Sequence, residues 1–351
     1  MKAIAVIRPG EVRMVELPAA KTAIGPYQAL VRTELCCLCN ATDGKLVAGH
    51  FPGVEKYPLV LGHESVGTIE AVGAKVRNFR VGERAIGALN FEFGASGYHS
   101  GWGAFAEYAV VNDHLAMVED CVADAGHGWA EVFEIQTTVS DDIPLEAAVL
   151  LCTWREVLGG IGDFHIEPGQ HVLIYGAGPV GLSFVRFCSL LGVNYIGIVD
   201  PHAWKRERAL ALGATEAFEP GNAKLDNFVQ HHGRLLDAVI DAVGMESIVN
   251  AALPLIKLGG SVCVYGVLAQ PALNLHKARG PYNFNLLVHQ WPTRWRERAA
   301  QEQLCAWIRE GLLRAQDFIT HDLPCEEIQQ ALERARSGQS LKILMRFQNA
   351  S

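Results

Sequence analysis

The strongest constraint in the sequence is a run of seven residues, Tyr175-Gly176-Ala177-Gly178-Pro179-Val180-Gly181. It stands between an apolar stretch, His171–Tyr175, and a segment of helical pattern, Pro179–Leu191. Glycines at this spacing, after a strand and opening a helix, permit a tight turn, close backbone approach to a pyrophosphate and close helix–strand packing. The helix start adds free N–H groups and the positive end of a dipole. Gly176, Gly178, Pro179, Val180 and Gly181 are therefore the expected phosphate cradle of a dinucleotide. A second apolar stretch, Tyr195–Val199, leads into Asp200, 19 positions past Gly181. An acid there accepts hydrogen bonds from ribose hydroxyls and repels a 2′-phosphate, which predicts NAD. Lys205 and Arg206 follow; both read as solvated helix positions, and Lys205 is placed with the cofactor-binding residues.

The surroundings agree with that loop. From His171 onward strands and helices alternate: His202–Leu212 is a predicted helix, Asp237–Asp241 a strand, Met245–Leu258 a helix ended by Gly259-Gly260, and Ser261–Tyr265 a strand. Apolar strands alternating with helices predict a parallel sheet covered on both faces. The first 120 residues read differently, as short strands over Met1–Ile7, Val12–Leu17, Gln28–Leu35, Glu64–Val72 and Phe105–Val111, separated by Pro and Gly. Phe91–Gly103 is a long glycine-rich loop. Pro144–Gly159 starts as a helix with Pro at its first position. Past about residue 290 the pattern is helical and polar, through Arg298–Glu310 and Cys325–Ser337, with an apolar close at Lys342–Phe347.

Composition narrows the function classes. Half of the residues are hydrophobic, and Lys plus Arg number 30 against 38 Asp plus Glu, a net charge of −8. An acidic chain without a basic run is a poor partner for nucleic acid or an anionic membrane. The start is not a signal peptide, since Arg8 and Pro9 break a short apolar run, and no stretch of about 18 apolar residues exists to span a membrane. Nine cysteines without disulfide-scaffold spacing fit a reducing cytoplasm.

Some of those cysteines sit where metal chemistry is conceivable. Cys39 follows a predicted strand, Gly62-His63-Glu64 opens another, and Cys152 lies where the chain passes into its alternating half. Thiolate, imidazole and carboxylate are ligands that zinc accepts, and catalytic sites use three protein ligands and keep one position open. Each piece alone reads equally well as a buried small hydrophobe or a solvated turn.

The chain resembles the zinc-dependent medium-chain dehydrogenase/reductase family, which includes alcohol, sorbitol and threonine dehydrogenases. The stretches that carry the resemblance are Cys39–Asp43, Leu61-Gly62-His63-Glu64-Ser65-Val66-Gly67, Val81-Gly82-Glu83-Arg84, Gly103-Ala104-Phe105-Ala106-Glu107-Tyr108 and Gly176–Leu182, in family order over nearly the whole chain. It implies an α/β protein in which a Rossmann doubly wound parallel sheet, 151–290, is inserted into a strand-rich GroES-like catalytic domain, 1–150 completed by 291–351. It also implies a catalytic zinc on Cys39, His63 and Cys152, with Glu64 an adjacent acid able to exchange onto the metal. Asp43 would orient the histidine, and Thr42 would pass the substrate proton outward, with His50 or Lys45 as less favoured continuations. The expected reaction is hydride transfer between NAD and a secondary alcohol or ketone, by an assembly of two or four identical chains.

Two departures bear on those residues. The family has one residue between this cysteine and the hydroxyl residue, whereas Asn40-Ala41 makes two, so an ungapped match would put Asn40 at the ligand position. Cys39 is preferred, because an amide is a poor zinc ligand. Cys152 stands where the polyol branch has Glu. Relatives with a structural zinc hold it on four cysteines, and no cysteine lies between Arg84 and Asp120, so no structural zinc is expected. Phe91, Glu92, Trp102, Trp154, Arg155, Glu156, His289, Trp291 and Arg294 are candidate pocket residues; mixing charges with aromatics, they suit a polyol, sugar or cyclitol. Trp154 and Trp291 read equally as core or subunit-contact residues. His99, His127, His165, His202, His231, His232 and His276 read as surface or loop residues. The alternatives are a metal-free NADPH-dependent enoyl or quinone reductase of the same superfamily, and a non-enzymatic relative that retains the cofactor site.

Overall fold

The computed structural model describes residues 1–18, 24–221, 235–268, 270 and 272–347; His231 and His232 lie outside these. The chain forms two compact units, Met1–Thr153 with Gln301–Ser351, and Trp154–Ala300. Both division points fall inside continuous helices, Leu145–Asp163 and Arg294–Arg309. The second of these begins four residues before the expected Arg298, and the return to the first unit falls at Gln301.

The first unit is built on strands. Its larger sheet runs in the order Ile319–Pro324, Lys342–Arg346, Gln28–Leu38, Ser65–Val72, Arg84–Ile86 and Thr137–Val139, with Tyr108–Asn112 also paired to Gln28–Leu38. The long strand Gln28–Leu38 is the hub. Its apolar residues bury one face after the other, and two register shifts let it bend while pairing with Ser65–Val72. The C-terminal strand docks antiparallel on its end, Ile343 opposite Leu38 and Met345 opposite Cys36. Ile4, Leu38, Leu46, Phe105, Ile328 and Ile343 close over this end in one buried cluster. The sequence placed a strand at Phe105–Val111; the paired residues are Tyr108–Asn112, because Phe105 is spent on that core.

In the second unit six parallel strands run in the order Glu216–Phe218, Tyr195–Val199, His171–Tyr175, Leu236–Asp241, Ile256–Val264 and Asn285–Val288. This is the doubly wound sheet, and its order reverses between His171–Tyr175 and Leu236–Asp241. In such sheets ligands bind beyond the carboxyl ends of the strands at that reversal. One expected element differs. The helix ends at Ala252, and Gly259-Gly260 lie inside the strand Ile256–Val264. The register jumps from Leu236 opposite Ile256 to Ala238 opposite Ser261, and Gly259 takes a positive φ of 80° in the resulting bulge.

Candidate metal centre and nucleotide-binding loop

The antiparallel pairing of Cys36 with Ser65 brings the segment after one strand beside the segment before the other. Cys39 therefore meets His63 and Glu64. A thiol sulfur, a ring nitrogen and a carboxylate oxygen from these three residues lie within 4.8 Å of one another. Cys39 is held by a reciprocal turn with Asp43. The Asp43 N–H donates to the Cys39 carbonyl at 2.9 Å, and the Cys39 N–H donates to Asp43 Oδ2 at 2.8 Å. Thr42 opens the helix Thr42–Ala48, one residue before Asp43. Gly62 sets the entry to the other strand: φ is +100°, and a Cβ there would lie 2.1 Å from the Phe105 ring.

His63 faces an acid on each side. Nε2 is 3.6 Å from Glu64 Oε1, and Nδ1 is 3.8 Å from Asp43 Oδ1. Asp43 is fully buried. Neither Asp43 Oδ1 nor His63 Nδ1 has a hydrogen-bond partner among the described residues. Burial pushes the Asp43 carboxyl up to about 7, against the opposing pull of His63. An unpartnered carboxylate oxygen beside an unpartnered ring nitrogen, with the other ring nitrogen facing a carboxylate, is the donor arrangement of a histidine metal ligand oriented by a carboxylate. The residues fit a zinc ion.

Lys342, on the C-terminal strand, reaches into the same place. Its Nζ lies 2.5 and 2.6 Å from the two Glu64 oxygens, and both side chains are 4% exposed. Burial works against the ammonium charge, but Glu64, Cys37 and Cys39 hold it protonated. Cys152 is buried with its Sγ 3.8 Å from the carbonyl of Ser65, the residue after Glu64. In this geometry its sulfur lies outside the group of three.

The aromatic Trp102 tilts over His63 at 5.9 Å between ring centroids and meets Phe51 edge-on at 5.1 Å. Phe91 instead packs on Phe133 and, with Glu92, lines a separate cavity of about 570 Å³. Trp154 and Arg155 are 1% exposed and belong to the packed interior, not to a pocket surface. Trp291 is exposed and stacks on Arg294, while His289 packs on Phe164 beside Asp163.

In the second unit Gly176 has φ +94°, Gly178 caps the helix Pro179–Leu190, and Pro179 takes its first turn. A Cβ on Gly181 would lie 1.7 Å from the Gly176 carbonyl oxygen, so the helix approaches the strand only because that position is glycine. Asp200 lies past the end of Tyr195–Val199, and its Oδ2 accepts the Ala177 N–H at 2.8 Å. Lys205 is buried rather than solvated, its ammonium 5.4 Å from the Trp204 ring. Its aliphatic stem and its neighbour's indole cover apolar surface together. Burial lowers its pKa against the pull of Asp200.

Residues 25–120 match the alcohol dehydrogenase GroES-like domain, and residues 179–286 match the zinc-binding dehydrogenase domain, together more than half of the chain. The chain belongs to the medium-chain dehydrogenase/reductase family. It is thus an oxidoreductase acting on alcohols. It is 27% identical to D-arabinitol dehydrogenase 1 of Uromyces fabae, over 91% of this chain and 90% of that protein. It is 26% identical to L-threonine 3-dehydrogenase of Shewanella halifaxensis, over 99% of this chain and all of that protein. The solved alcohol dehydrogenase TADH from Thermus sp. ATN1 has the same fold, with a TM-score of 0.80 at 24% identity, covering 99% of this chain and 100% of that one.

Three residues of this dehydrogenase escaped sequence reasoning. Lys342 carries no local signal, since a lysine opening a terminal strand reads as solvated. Asp241, past the reversal in the sheet, accepts the N–H groups of Val243, Gly244 and Met245 and so shapes the turn beyond its strand; an acid at the end of an apolar strand, as at Asp200, was the available clue. His202, read as a surface residue, is hydrogen-bonded to Asp200. Among the described residues no helix is long and apolar enough to cross a membrane.

Proposed function

We propose that this oxidoreductase is zinc- and NAD-dependent and transfers hydride between NAD and a secondary alcohol or ketone that is a polyol, sugar or cyclitol. The observation that carries the reading is the convergence of Cys39, His63 and Glu64 next to the orphaned Asp43–His63 pair. Cys39 and His63 would hold the zinc with Glu64 adjacent, and Cys152, whose sulfur lies outside that group here, would be the third ligand that the family resemblance implies. When bound, zinc supplies a Lewis acid for the alcohol oxygen, and the nicotinamide ring takes the hydride. Asp43, 3.8 Å from His63 Nδ1, would orient the ring through that nitrogen's N–H and so leave the Nε2 lone pair for the metal. Thr42 accepts the hydroxyl proton and passes it outward. Gly176–Gly181 cradle the pyrophosphate, and Asp200 with Lys205 takes the adenosine ribose. The arabinitol and threonine dehydrogenases among the relatives support a hydroxylated substrate. No disulfide links the nine cysteines, which supports a cytoplasmic setting. Among the described residues Asn285–Val288 ends its sheet with Val288 exposed, which supports a homodimer or homotetramer.

Elemental analysis of the purified protein tests the reading, with about one zinc per chain expected for a catalytic site without a structural one. Cys39→Ala and Cys152→Ala should each lose zinc and activity; normal zinc in Cys152→Ala would remove that ligand. NAD should beat NADP by at least about tenfold, or about 1.4 kcal/mol. A panel of polyols, sugars, cyclitols and amino alcohols identifies the substrate. Alkene reduction by NADPH in a zinc-free protein would replace the proposal with the reductase alternative.

A further inference from the structure

The carboxylate that should select the cofactor is already engaged within the protein. Asp200 is 5% exposed. Its Oδ2 accepts the Ala177 N–H at 2.8 Å. Its Oδ1 accepts the His202 backbone N–H at 2.8 Å and lies 3.0 Å from Nδ1 of the same residue. An ionised carboxylate has no proton to give, so Nδ1 is the donor and Nε2 is left to take up a second proton. Protonation of His202 therefore keeps its bond to Asp200 and turns the pair from a net negative charge to a neutral one.

The other charges around the pair belong to Arg206, Glu219 and Lys205, the last of which also interacts electrostatically with Asp200. Arg206 Nη1 donates to the carbonyl oxygens of Asp200 at 2.7 Å and Pro201 at 2.9 Å, and Nη2 lies 3.9 Å from Glu219. Lys205 is buried against Trp204. The glycine loop contributes no ionisable side chain. Among the described residues packed on this corner, His202 supplies the imidazole, whose second ring nitrogen can take up a proton, and its side chain is 40% exposed.

We propose that His202 is a specificity-determining residue for the cofactor's adenosine ribose: with the imidazole neutral, Asp200 excludes a 2′-phosphate, and with it protonated, the pair admits one. The inference rests on the NAD reading above. An added phosphate on the ribose hydroxyl that Asp200 would accept meets the full carboxylate charge at high pH. At low pH it meets a neutral pair and gains an imidazolium donor, the stronger kind of hydrogen bond to an anion. One unit charge acting on a dianion across a few ångströms of well-solvated surface corresponds to about tenfold in affinity.

The test is direct binding of NADH and NADPH to the whole protein, followed by nicotinamide fluorescence between about pH 6 and about pH 8.5. This readout needs neither turnover nor zinc. His202→Gln keeps a side-chain N–H donor and removes the titration; its exposed position leaves the fold intact, which an unchanged melting temperature verifies. The expected result is that the NADPH-to-NADH ratio of dissociation constants falls about tenfold towards low pH in the unmodified protein. In His202→Gln only the smaller slope from the 2′-phosphate's own titration should remain. Equal slopes in the two proteins, or a flat ratio in the unmodified one, would overturn the role of His202 while leaving the cofactor reading in place. Failure of both nucleotides to bind would overturn the cofactor reading, and this inference with it.

Discussion

Replacing Lys342 with Met should destabilise the strand-rich unit more than an ordinary surface substitution would. The ammonium contacts both oxygens of Glu64 at 2.5 and 2.6 Å, and each side chain is 4% exposed. Methionine fills much of the lysine's volume, so little of the loss comes from a cavity. What remains is a buried carboxylate without its counter-charge. Removing one partner of such a pair costs about 3–5 kcal/mol, whereas an intact pair is worth far less against an apolar replacement. For a unit of roughly 200 residues, at about 2–4 °C per kcal/mol, the melting temperature should fall by about 6–20 °C. Guanidinium unfolding followed by circular dichroism gives the free energy, and calorimetry the midpoint. A double-mutant cycle with Glu64→Gln isolates the pair. The double variant should lose clearly less than the sum of the two single ones, because Gln leaves no charge to strand. A loss below about 1 kcal/mol in Lys342→Met, the size of a surface pair, or strict additivity in the cycle, would refute the reasoning.

Gly62→Ala places a Cβ 2.1 Å from the Phe105 ring at φ +100°; backbone strain and overpacking together should cost about 2–5 kcal/mol, measured by the same unfolding curves, and a loss under about 1 kcal/mol would mean the strand entry adapts freely. Asp113 caps the helix His114–Glu119 through Ala116 and also accepts the N–H groups of Arg77 and Asn78. Burial pushes its pKa up, but these bonds outweigh it and hold the carboxyl below its usual range. Its contribution is therefore complete above the ordinary carboxylate pKa and is lost as pH falls through the lowered one. Asp113→Ala should cost about 0.5–2 kcal/mol at neutral pH and flatten the acid limb of the stability–pH curve; an unchanged limb would assign that slope to other carboxylates. Thr42→Val should lower turnover by about two to four orders of magnitude while leaving zinc content and NAD affinity intact, and Thr42→Ser should keep most of the activity. Normal turnover in Thr42→Val would send the proton by another route, with Glu64, Glu156 or water the first to test.

The nucleotide-binding half was legible because its evidence is local. Gly176, Gly178 and Gly181 announce a turn through their missing side chains, and the apolar strand before them and the acid after the next strand lie within one strand–helix–strand unit. The His63–Glu64 and Cys39–Asp43 segments were equally readable as residue types, but as two separate fragments; spacing along the chain says nothing about the antiparallel register, Cys36 opposite Ser65, that joins them. Only the tertiary structure decided that Asp43 is buried against His63, that Cys39 and Asp43 close one turn that takes in the extra residue of Asn40-Ala41, and that a lysine 278 residues away neutralises Glu64. It likewise chose the core over the pocket for Trp154, put Arg155 in the interior and drew His202 onto Asp200. The physical reason is common to all of these. Burial and charge pairing depend on which strands become neighbours, and the strand that brings Lys342 comes from the far end of the chain to lie between Ile319–Pro324 and Gln28–Leu38.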